Sequence, residues 1–199
     1  MKILFLSNNE ISDDFIYWLK NIAKEEIVLY DKPMNIELLK KIKPNFIVSY
    51  NYRFIIKQEI INYMKNNIIN LHISLLPWNR GADPNLWSFL EDTPKGVTIH
   101  IIDESIDTGP ILVQKEVYMD ESIETLKSSY EKLHREIQEL FKRSWSDIKN
   151  KKLKPIYQNL KGSLHYKNDF KKIECLLNKK GWNIPTMEFK KEYKNLRGK

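Results

Sequence analysis

The sequence predicts an α/β fold in which a mostly parallel, twisted sheet carries helices on both faces. In the first 73 residues, short apolar runs of strand length alternate with segments whose apolar residues recur at helical spacing. Later, two more strand-length runs are separated by a short loop, and a long amphipathic segment follows. This order is typical of a Rossmann-like sheet, because parallel strands need helical crossovers between them.

The alternating half of the chain contains four strand candidates and three helix candidates. The first helix is expected behind Ser12, a candidate N-cap, because apolar residues follow it at helical spacing. These residues are Phe15, Ile16, Leu19 and Ile22. Two further helices are predicted over residues 36–42 and 58–64. In chain order, the predicted strands are KILFLS, EIVLYD, NFIVSY and NIINLHI.

The second half of the chain has a different character. An irregular stretch, WNRGADPN, leads into a short helical segment at residues 86–90. The strand candidates GVTIHIID and ILVQKEVYM follow, and the short loop between them predicts an antiparallel edge. Residues 123–148 have the spacing of a long amphipathic helix that closes the core. Beyond residue 150 we expect loops and one short helix near residues 170–177.

Length and charge suggest one domain with an appendage. The 199 residues are enough for a single catalytic domain over residues 1–150 and a short basic C-terminal extension over residues 151–199. That extension holds 14 of the 33 Lys and Arg residues but only 4 of the 26 Asp and Glu residues. A basic tail can attract phosphates or nucleic acid, although lysine runs of this kind are more often a solvated face.

Several classes of protein are not expected. No apolar run approaches the roughly 20 residues that cross a bilayer, and the start lacks the features of a signal peptide. The single Cys175 cannot form an internal disulfide, and no His or Cys spacing indicates a zinc site. We therefore expect a cytoplasmic protein without a metal and without a membrane partner.

Polar residues follow three of the predicted strands. They are Ser7-Asn8-Asn9, residues 50–55 and Asn70-Leu71-His72. Ligands of open parallel sheets bind beyond the carboxyl ends of the strands, so these residues are candidates for a site. Asn70 and His72 lie two positions apart on an extended segment and should face the same side. Asp107, in the loop SIDTGP, could reach the same edge through strand pairing.

An amide, an imidazole and a carboxylate together suit acyl transfer to an amine. The reaction needs a donor to the developing oxyanion, a group that manages the proton of the amine, and a charge that tunes that group. We expect the carboxylate of Asp107 to raise the pKa of His72 and to favour its cation. By itself, however, an Asn-x-His pair is more often structural.

The motifs around these residues resemble a known family. NLHISLLPWNRG, followed by GVTIHIIDESIDTGPIL, is similar to the folate-dependent formyltransferases, which include glycinamide ribonucleotide transformylase, methionyl-tRNA formyltransferase and the sugar N-formyltransferases. The resemblance covers residues 45–118 and implies the formyltransferase fold, with Asn70, His72 and Asp107 as the catalytic trio. It also implies direct attack of an amine on the formyl carbon of 10-formyltetrahydrofolate, with no metal and no covalent enzyme intermediate.

The resemblance also implies two binding regions. Residues that match the folate-binding segments are Tyr52, Arg53, Phe54, Ile55, His100, Asp103 and Ile106. Residues expected on the acceptor side are Asn9, Ser74, Trp78, Asn79 and Arg80. Structural roles remain open for three of these residues. His100 alternates with apolar strand residues, Ser74 lacks a nucleophile elbow and suits a turn hydrogen bond, and Trp78 could belong to the core.

The acceptor is expected to be an amino sugar linked to a nucleoside diphosphate. LPWNRGADPNLWS and GSLHYKND resemble enzymes that formylate such sugars, for example a dTDP-4-amino-4,6-dideoxyhexose, in lipopolysaccharide or surface polysaccharide biosynthesis. Nucleic acid is not the expected partner, and a homodimer remains open.

The alternatives are enzymes like methionyl-tRNA formyltransferase or glycinamide ribonucleotide formyltransferase, a formyltetrahydrofolate hydrolase, and a noncatalytic nucleic-acid-binding protein. The tRNA enzymes normally carry a further barrel domain, for which the chain is too short. The first strand is followed by Ser7-Asn8-Asn9-Glu10 where enzymes acting on glycinamide ribonucleotide have a glycine-rich loop.

Overall fold

The chain forms one main sheet with helices packed against its two faces. The computed structural model describes residues 1–198, apart from the side chains of residues 178 and 179. The strands are β1 (Lys2–Leu6), β2 (Glu26–Tyr30), β3 (Phe46–Tyr50), β4 (Ile68–His72), β5 (Arg80–Gly81), β6 (Gly96–Ile101), β7 (Ile111–Glu116) and β8 (Leu164–His165). The helices are α1 (Asp13–Asn21), α2 (Ile36–Ile42), α3 (Gln58–Met64), α4 (Pro84–Leu90), α5 (Leu126–Lys149), α6 (Lys167–Lys171) and α7 (Thr186–Arg197).

The main sheet is mostly parallel, as the alternation of strands and helices predicts. Within residues 1–198, its strand order is β2-β1-β3-β4-β6-β7. Strands β1 to β4 pair in parallel, whereas β6 pairs antiparallel with both β4 and β7. The antiparallel edge expected from the short loop is therefore confirmed. A second, parallel pair joins β5 to β8.

Both faces of the sheet are buried by helices. Along β1, Ile3 and Phe5 belong to one apolar cluster, while Leu4 and Leu6 belong to another. The first cluster receives side chains from α1, α4, α5 and α7, and the second from α2 and α3. Because successive strand residues point to opposite faces, a strand covered on both sides has to be apolar throughout. This explains why KILFL has no polar alternation.

The long helix α5 supplies the aromatic centre of the first cluster. Phe141 is fully buried and meets Phe15 edge to face, with ring centroids 4.8 Å apart. Trp145, one turn further along, stacks on Phe141 at 5.0 Å and contacts Phe46 of β3 edge to face. Residues spaced three and four apart lie on one helical face, so this stripe attaches α5 to the sheet.

Ser12 stands at the N-cap position of α1, as expected, but its side chain makes no capping hydrogen bond to that helix. A 3-10 turn, Glu10–Ser12, precedes α1, and the Oδ1 of Asn9 caps that turn by accepting from the N–H of Ile11 at 3.0 Å. The hydroxyl of Ser12 donates to the carbonyl of Asn9 at 2.8 Å instead of capping α1. The inserted turn continues directly into α1, so the capping role moves three residues toward the N-terminus.

The region after residue 150 is more ordered than the pattern predicts. In place of one helix near residues 170–177, α6 is followed by a 3-10 helix (Glu174–Asn183) and then by α7. Phe189 of α7 is fully buried in the first cluster, and Lys190 pairs with Glu121 at 2.8 Å. The sequence pattern misses α7 because few apolar residues mark its inner face. A domain boundary at residue 150 stays a prediction.

We predict that Phe141→Ala lowers the free energy of unfolding by about 3–5 kcal/mol, because it leaves a cavity among aromatic rings that hold α5 to the sheet. Urea denaturation followed by circular dichroism measures the change. Tyr118→Ala is the matched control, since the Tyr118 side chain is 80% exposed, and it should change that free energy by less than about 0.5 kcal/mol. Equal effects in the two variants would contradict this description of the core.

Candidate active site

Asn70 and His72 extend from the same face of β4. The residue between them, Leu71, belongs to the core on the opposite face. On the neighbouring strand β6, His100 lies opposite Asn70, and Thr98 lies opposite His72. Cross-strand neighbours point to the same side of a sheet, so the pairing of β4 with β6 collects an amide and two imidazoles on one patch.

Asp107 reaches this patch from the loop between β6 and β7. Its Oδ1 accepts a hydrogen bond from Asn70 Nδ2 at 3.1 Å and lies 3.3 Å from His100 Nε2. Its Oδ2 accepts from the Gly81 N–H at 2.9 Å and lies 3.6 Å from His72 Nδ1. The three side chains of the expected trio thus lie together, and His100 adds a fourth group.

The electrostatics of the site differ from the sequence-based expectation. Burial lowers the pKa of His72 and outweighs the opposing charge of Asp107, so the neutral imidazole is favoured where we expected the cation. Burial alone raises the pKa of Asp107, but the charge of His72, the hydrogen bond of His100 and the Gly81 N–H together hold it well below its usual value. The carboxylate is therefore ionised and the His72 imidazole is neutral near pH 7.

Gly81 allows the backbone to approach Asp107. Its φ is +84°, and a Cβ at this position would lie 2.2 Å from the carbonyl oxygen of His165. That close approach occurs because β5 pairs with β8. Only glycine can adopt this backbone angle and also tolerate such a close contact. In this conformation the Gly81 N–H points at the Asp107 carboxylate.

Arg80, expected on the acceptor side, is held by the chain after residue 150. Its Nη2 and Nε donate to Gln158 Oε1 at 2.9 Å and 3.3 Å, and its Nη1 donates to the Lys161 carbonyl at 3.4 Å. Sequence reasoning did not identify Gln158, because a single Gln in a lysine-rich stretch shows no pattern. The guanidinium is thereby oriented, and its remaining N–H groups can meet a ligand.

Two other acceptor-side candidates, Asn79 and Ser74, are buried, and their side chains form hydrogen bonds within the protein. The fully buried amide of Asn79 donates to Glu91 at 3.3 Å and accepts from Thr93 at 2.7 Å, so its side chain is not available to a ligand. Its carbonyl lies 3.0 Å from His72 Nε2, which gives Asn79 a role in holding the imidazole. Ser74 is also buried and donates to the Trp78 carbonyl at 2.7 Å. This is the turn hydrogen bond that the sequence favours, and Trp78 itself is partly exposed in that turn.

The segment expected to bind the pterin follows β3. The Tyr52 and Phe54 rings meet edge to face at 5.4 Å, and the Arg53 guanidinium lies 4.9 Å from the Phe54 centroid. Ile55, which follows Phe54 in the chain, is 86% exposed. The Arg53 N–H donates to Asn8 Oδ1 at 3.1 Å and so joins this segment to the loop after β1.

The opposite wall is the loop after β6. Asp103 Oδ1 accepts from the Thr108 hydroxyl at 2.7 Å and from the Ser105 N–H at 3.3 Å, which shapes the loop that carries Asp107. Ile106 is 39% exposed and lies next to Asp107 in the chain. The roles of these residues in folate binding stay predictions.

Two cavities adjoin the loops that carry the candidate residues. One of about 520 Å³ includes Asn8, Asn9 and Arg53 in its lining. Another of about 580 Å³ lies between α3 and the loop after β6, and Gln58 and Asp103 contribute to its wall. Each falls within the size range of small-molecule sites, which is about 300–1,000 Å³.

Two kinds of feature are absent from the part of the chain that the structure describes. Residues 1–198 contain no group of three or more His, Cys, Asp or Glu side chains arranged to hold a metal ion. None of the helices in this range is both long and apolar enough to span a membrane.

We predict that His72→Gln weakens the pH dependence of stability below neutrality. Unfolded His72 takes up a proton near pH 6.5, whereas burial lowers its pKa in the folded state, so the wild-type protein loses stability as the pH falls. The free energy of unfolding from urea titrations at pH 7.5 and pH 5.5 should fall by about 1 kcal/mol less in the variant. His134, whose pKa burial lowers to about 3, contributes equally to both proteins. An unchanged pH dependence would show that His72 is not held neutral.

Comparison with known proteins identifies relatives with this architecture. A family model described as formyl transferase matches residues 23–144. The formyltransferase PseJ from Anoxybacillus kamchatkensis, solved in complex with UDP-4,6-dideoxy-4-formamido-L-AltNAc and tetrahydrofolate, is 43% identical, with a TM-score of 0.85 over 95% of this chain and 97% of that one. A sugar N-formyltransferase from a Shewanella species is 26% identical, with a TM-score of 0.77 over 96% of this chain and 86% of that one.

A curated relative matches over a shorter stretch. Methionyl-tRNA formyltransferase from Thermodesulfovibrio yellowstonii is 45% identical over 94 residues, which are 46% of this chain and 30% of that protein. The chain therefore spans less than a third of the length of this relative. The family model, in contrast, covers well over half of the chain, and the match to PseJ extends over nearly all of both chains. The chain thus belongs to the formyl transferase family.

Proposed function

We propose that this protein transfers a formyl group from 10-formyltetrahydrofolate to the amino group of a 4-amino sugar linked to a nucleoside diphosphate. The observation that carries the proposal is the convergence of Asn70, His72 and Asp107 on one face of β4, in a chain that resembles PseJ over nearly its whole length. PseJ itself was solved with a 4-formamido sugar nucleotide and tetrahydrofolate, the two products of such a reaction.

The nucleoside can be specified further. The sequence resemblance alone led us to expect thymidine, whereas the sugar nucleotide in the PseJ complex is linked to UDP. Because the similarity to PseJ includes the segments after residue 150, we propose uridine diphosphate as the carrier. The similarity to methionyl-tRNA formyltransferase covers less than half of this chain, so it supports the shared formyl chemistry more than a tRNA acceptor.

The neutral state of His72 defines its chemical role. The Nε2 of His72 faces the Asn79 carbonyl, which can only accept, so the neutral ring carries its hydrogen on Nε2 and its lone pair on Nδ1. His72 Nδ1 can therefore accept the proton that the amine loses as its nitrogen bonds to the formyl carbon. His72 then returns this proton to the folate nitrogen as the bond between that nitrogen and the formyl carbon breaks. The formyl group therefore moves from the folate to the amine, and one proton moves from the amine to the folate.

Asn70 and Asp107 complete the arrangement. The Asn70 amide donates one N–H to Asp107, and its Nδ2 also lies 3.4 Å from His100 Nε2. That longer contact can give way to the oxyanion that develops on the formyl oxygen, so that the second N–H donates to it. The Asp107 carboxylate fixes the direction of the Asn70 amide and lies 3.6 Å from His72 Nδ1, while the Asn79 carbonyl holds the ring through Nε2. The buried surroundings strengthen these interactions by excluding water.

The proposal predicts formylation of one substrate from a panel. The protein is incubated with 10-formyltetrahydrofolate and UDP- or dTDP-linked 4-amino sugars, with glycinamide ribonucleotide, with charged initiator tRNA, or with buffer alone. We expect a mass gain of one formyl group on the UDP-linked amino sugar. Formylated tRNA, formylated glycinamide ribonucleotide or folate hydrolysis in buffer would each assign a different acceptor, and salt-sensitive RNA binding without turnover would exclude the enzyme.

We predict that His72→Ala lowers turnover on the accepted substrate by at least about a hundredfold while the fold is retained, because it removes the group that moves the proton. Turnover is measured from the release of tetrahydrofolate, and circular dichroism verifies folding. Cys175→Ser serves as a control, because Cys175 is exposed and lies in the 3-10 helix after α6. A folded His72→Ala protein with wild-type turnover would remove His72 from the mechanism.

A further inference from the structure

The chain after α5 returns to the active site through residues 156–165, which we call the return segment. At its start, Ile156 exchanges two backbone hydrogen bonds with Ile111, both at 2.8 Å. At its end, β8 pairs with β5 next to Gly81. Both ends are therefore fixed to strands that flank the site, so the side chains between them are held close to it.

Gln158, in the middle of the return segment, contacts the loop that carries Asp107. Its Nε2 donates to the carbonyl of Asp107 at 3.0 Å and to the carbonyl of Gly109 at 2.8 Å. Its Oε1 accepts from Arg80 Nη2 and Nε. One amide thus joins the Asp107 loop to β5.

The chemistry of the partners determines the orientation of this amide. Carbonyl oxygens only accept hydrogen bonds, and a guanidinium only donates them. Turning the Gln158 amide around would place its oxygen against two carbonyls and its NH2 group against Arg80. All four contacts are satisfied in only one orientation, so Gln158 is a specific link and not an interchangeable polar residue.

The backbone of Asp107 is in a conformation that needs such support. Its φ is +52°, in the left-handed region that residues other than glycine rarely adopt. The loop is also closely packed at Gly109, where a Cβ would lie 1.8 Å from the carbonyl oxygen of Ile101. The two hydrogen bonds from Gln158 reach the residues before and after Thr108, which are Asp107 and Gly109. They therefore hold the strained part of the loop at both ends.

The return segment also supports His72, the imidazole that lies beside Asp107. The Ser163 hydroxyl accepts a hydrogen bond from the Asn79 N–H at 2.9 Å. The Asn79 carbonyl in turn lies 3.0 Å from His72 Nε2. One stretch of ten residues is therefore bonded to the backbone positions on both sides of the His72 and Asp107 pair.

We propose that Gln158 is a positioning residue that holds the Asp107 loop in place, so that the carboxylate stays aligned with Asn70 and His72. This inference rests on the proposed formyl transfer and deepens it. Gln158 contacts neither of the reacting groups itself and acts through the backbone of Asp107. Its loss therefore affects the rate of the chemical step more than the binding of either substrate.

Two substitutions separate the contacts of Gln158. Gln158→Ala removes all four hydrogen bonds, whereas Gln158→Glu keeps an acceptor for Arg80 and loses the donors to the Asp107 loop. We expect both variants to lower kcat by about 10- to 100-fold, because each loses the donors that hold the Asp107 loop. In Gln158→Glu, KM should change by less than about threefold, because Arg80 keeps its acceptor. In Gln158→Ala, a rise in KM can accompany the loss of kcat, because Arg80 is released as well. Asn159→Ala, at the exposed neighbouring residue, should retain wild-type kcat.

Three results would contradict a positioning role for Gln158. Wild-type kcat in Gln158→Glu together with a raised KM in Gln158→Ala would overturn the proposal and assign Gln158 to Arg80 alone. A loss of thermal stability in both variants with unchanged kcat would show a structural role only. Should the charged variant fail to fold, Gln158→Met retains the side-chain length without either polar group, and wild-type kcat in that variant would likewise overturn the proposal.

A second measurement does not depend on turnover. In protein labelled with 15N at its four histidines, the Nδ1 resonance of His72, assigned through His72→Ala, reports on the nearby Asp107 carboxylate. We expect it to shift in Gln158→Ala while the buried His134 stays unchanged, and an unshifted His72 would overturn the proposal. A wild-type protein that formylates nothing would instead refute the proposed function, and this spectrum would still test the role of Gln158.

Discussion

The candidate active site depends on keeping one carboxylate ionised inside the protein. Asp107 is largely buried, and burial alone disfavours its charge. A buried charge without partners costs several kcal/mol, so the site must surround Asp107 with donors. Asn70 on β4, Gly81 on β5 and His100 on β6 face its two oxygens. Strand pairing therefore brings donors from three separate segments onto a single carboxylate.

The same burial has the opposite consequence for His72. Excluding water lowers its pKa despite the neighbouring carboxylate, so the ring is neutral, as the proposed role of proton acceptor requires. The pairing of an ionised Asp107 with a neutral His72 divides two tasks between them. In the proposed reaction, the carboxylate orients the Asn70 amide and the imidazole exchanges the proton.

Sequence reasoning recovered the strands and the helices of the sheet because their signals are local. The apolar run of KILFL and the stripe on α5 follow from residues only a few positions apart. It placed Ser12 correctly before α1 but missed the 3-10 turn that Asn9 caps. It also missed α7, whose buried residues are Thr186 and Phe189. It also misjudged the charge of His72, because the degree of burial is not visible in a motif.

By itself, the sequence determined the fold class and the candidates Asn70, His72 and Asp107, through periodicity and through motifs that occupy short, continuous stretches. Only the tertiary structure decided that Gln158 reaches the Asp107 loop and that Asn79 turns its carbonyl toward His72. Gln158 and Asp107 are 51 residues apart, and they meet because backbone pairing fixes both ends of the return segment. Such contacts depend on how strands and loops pack, which no local pattern of residues encodes.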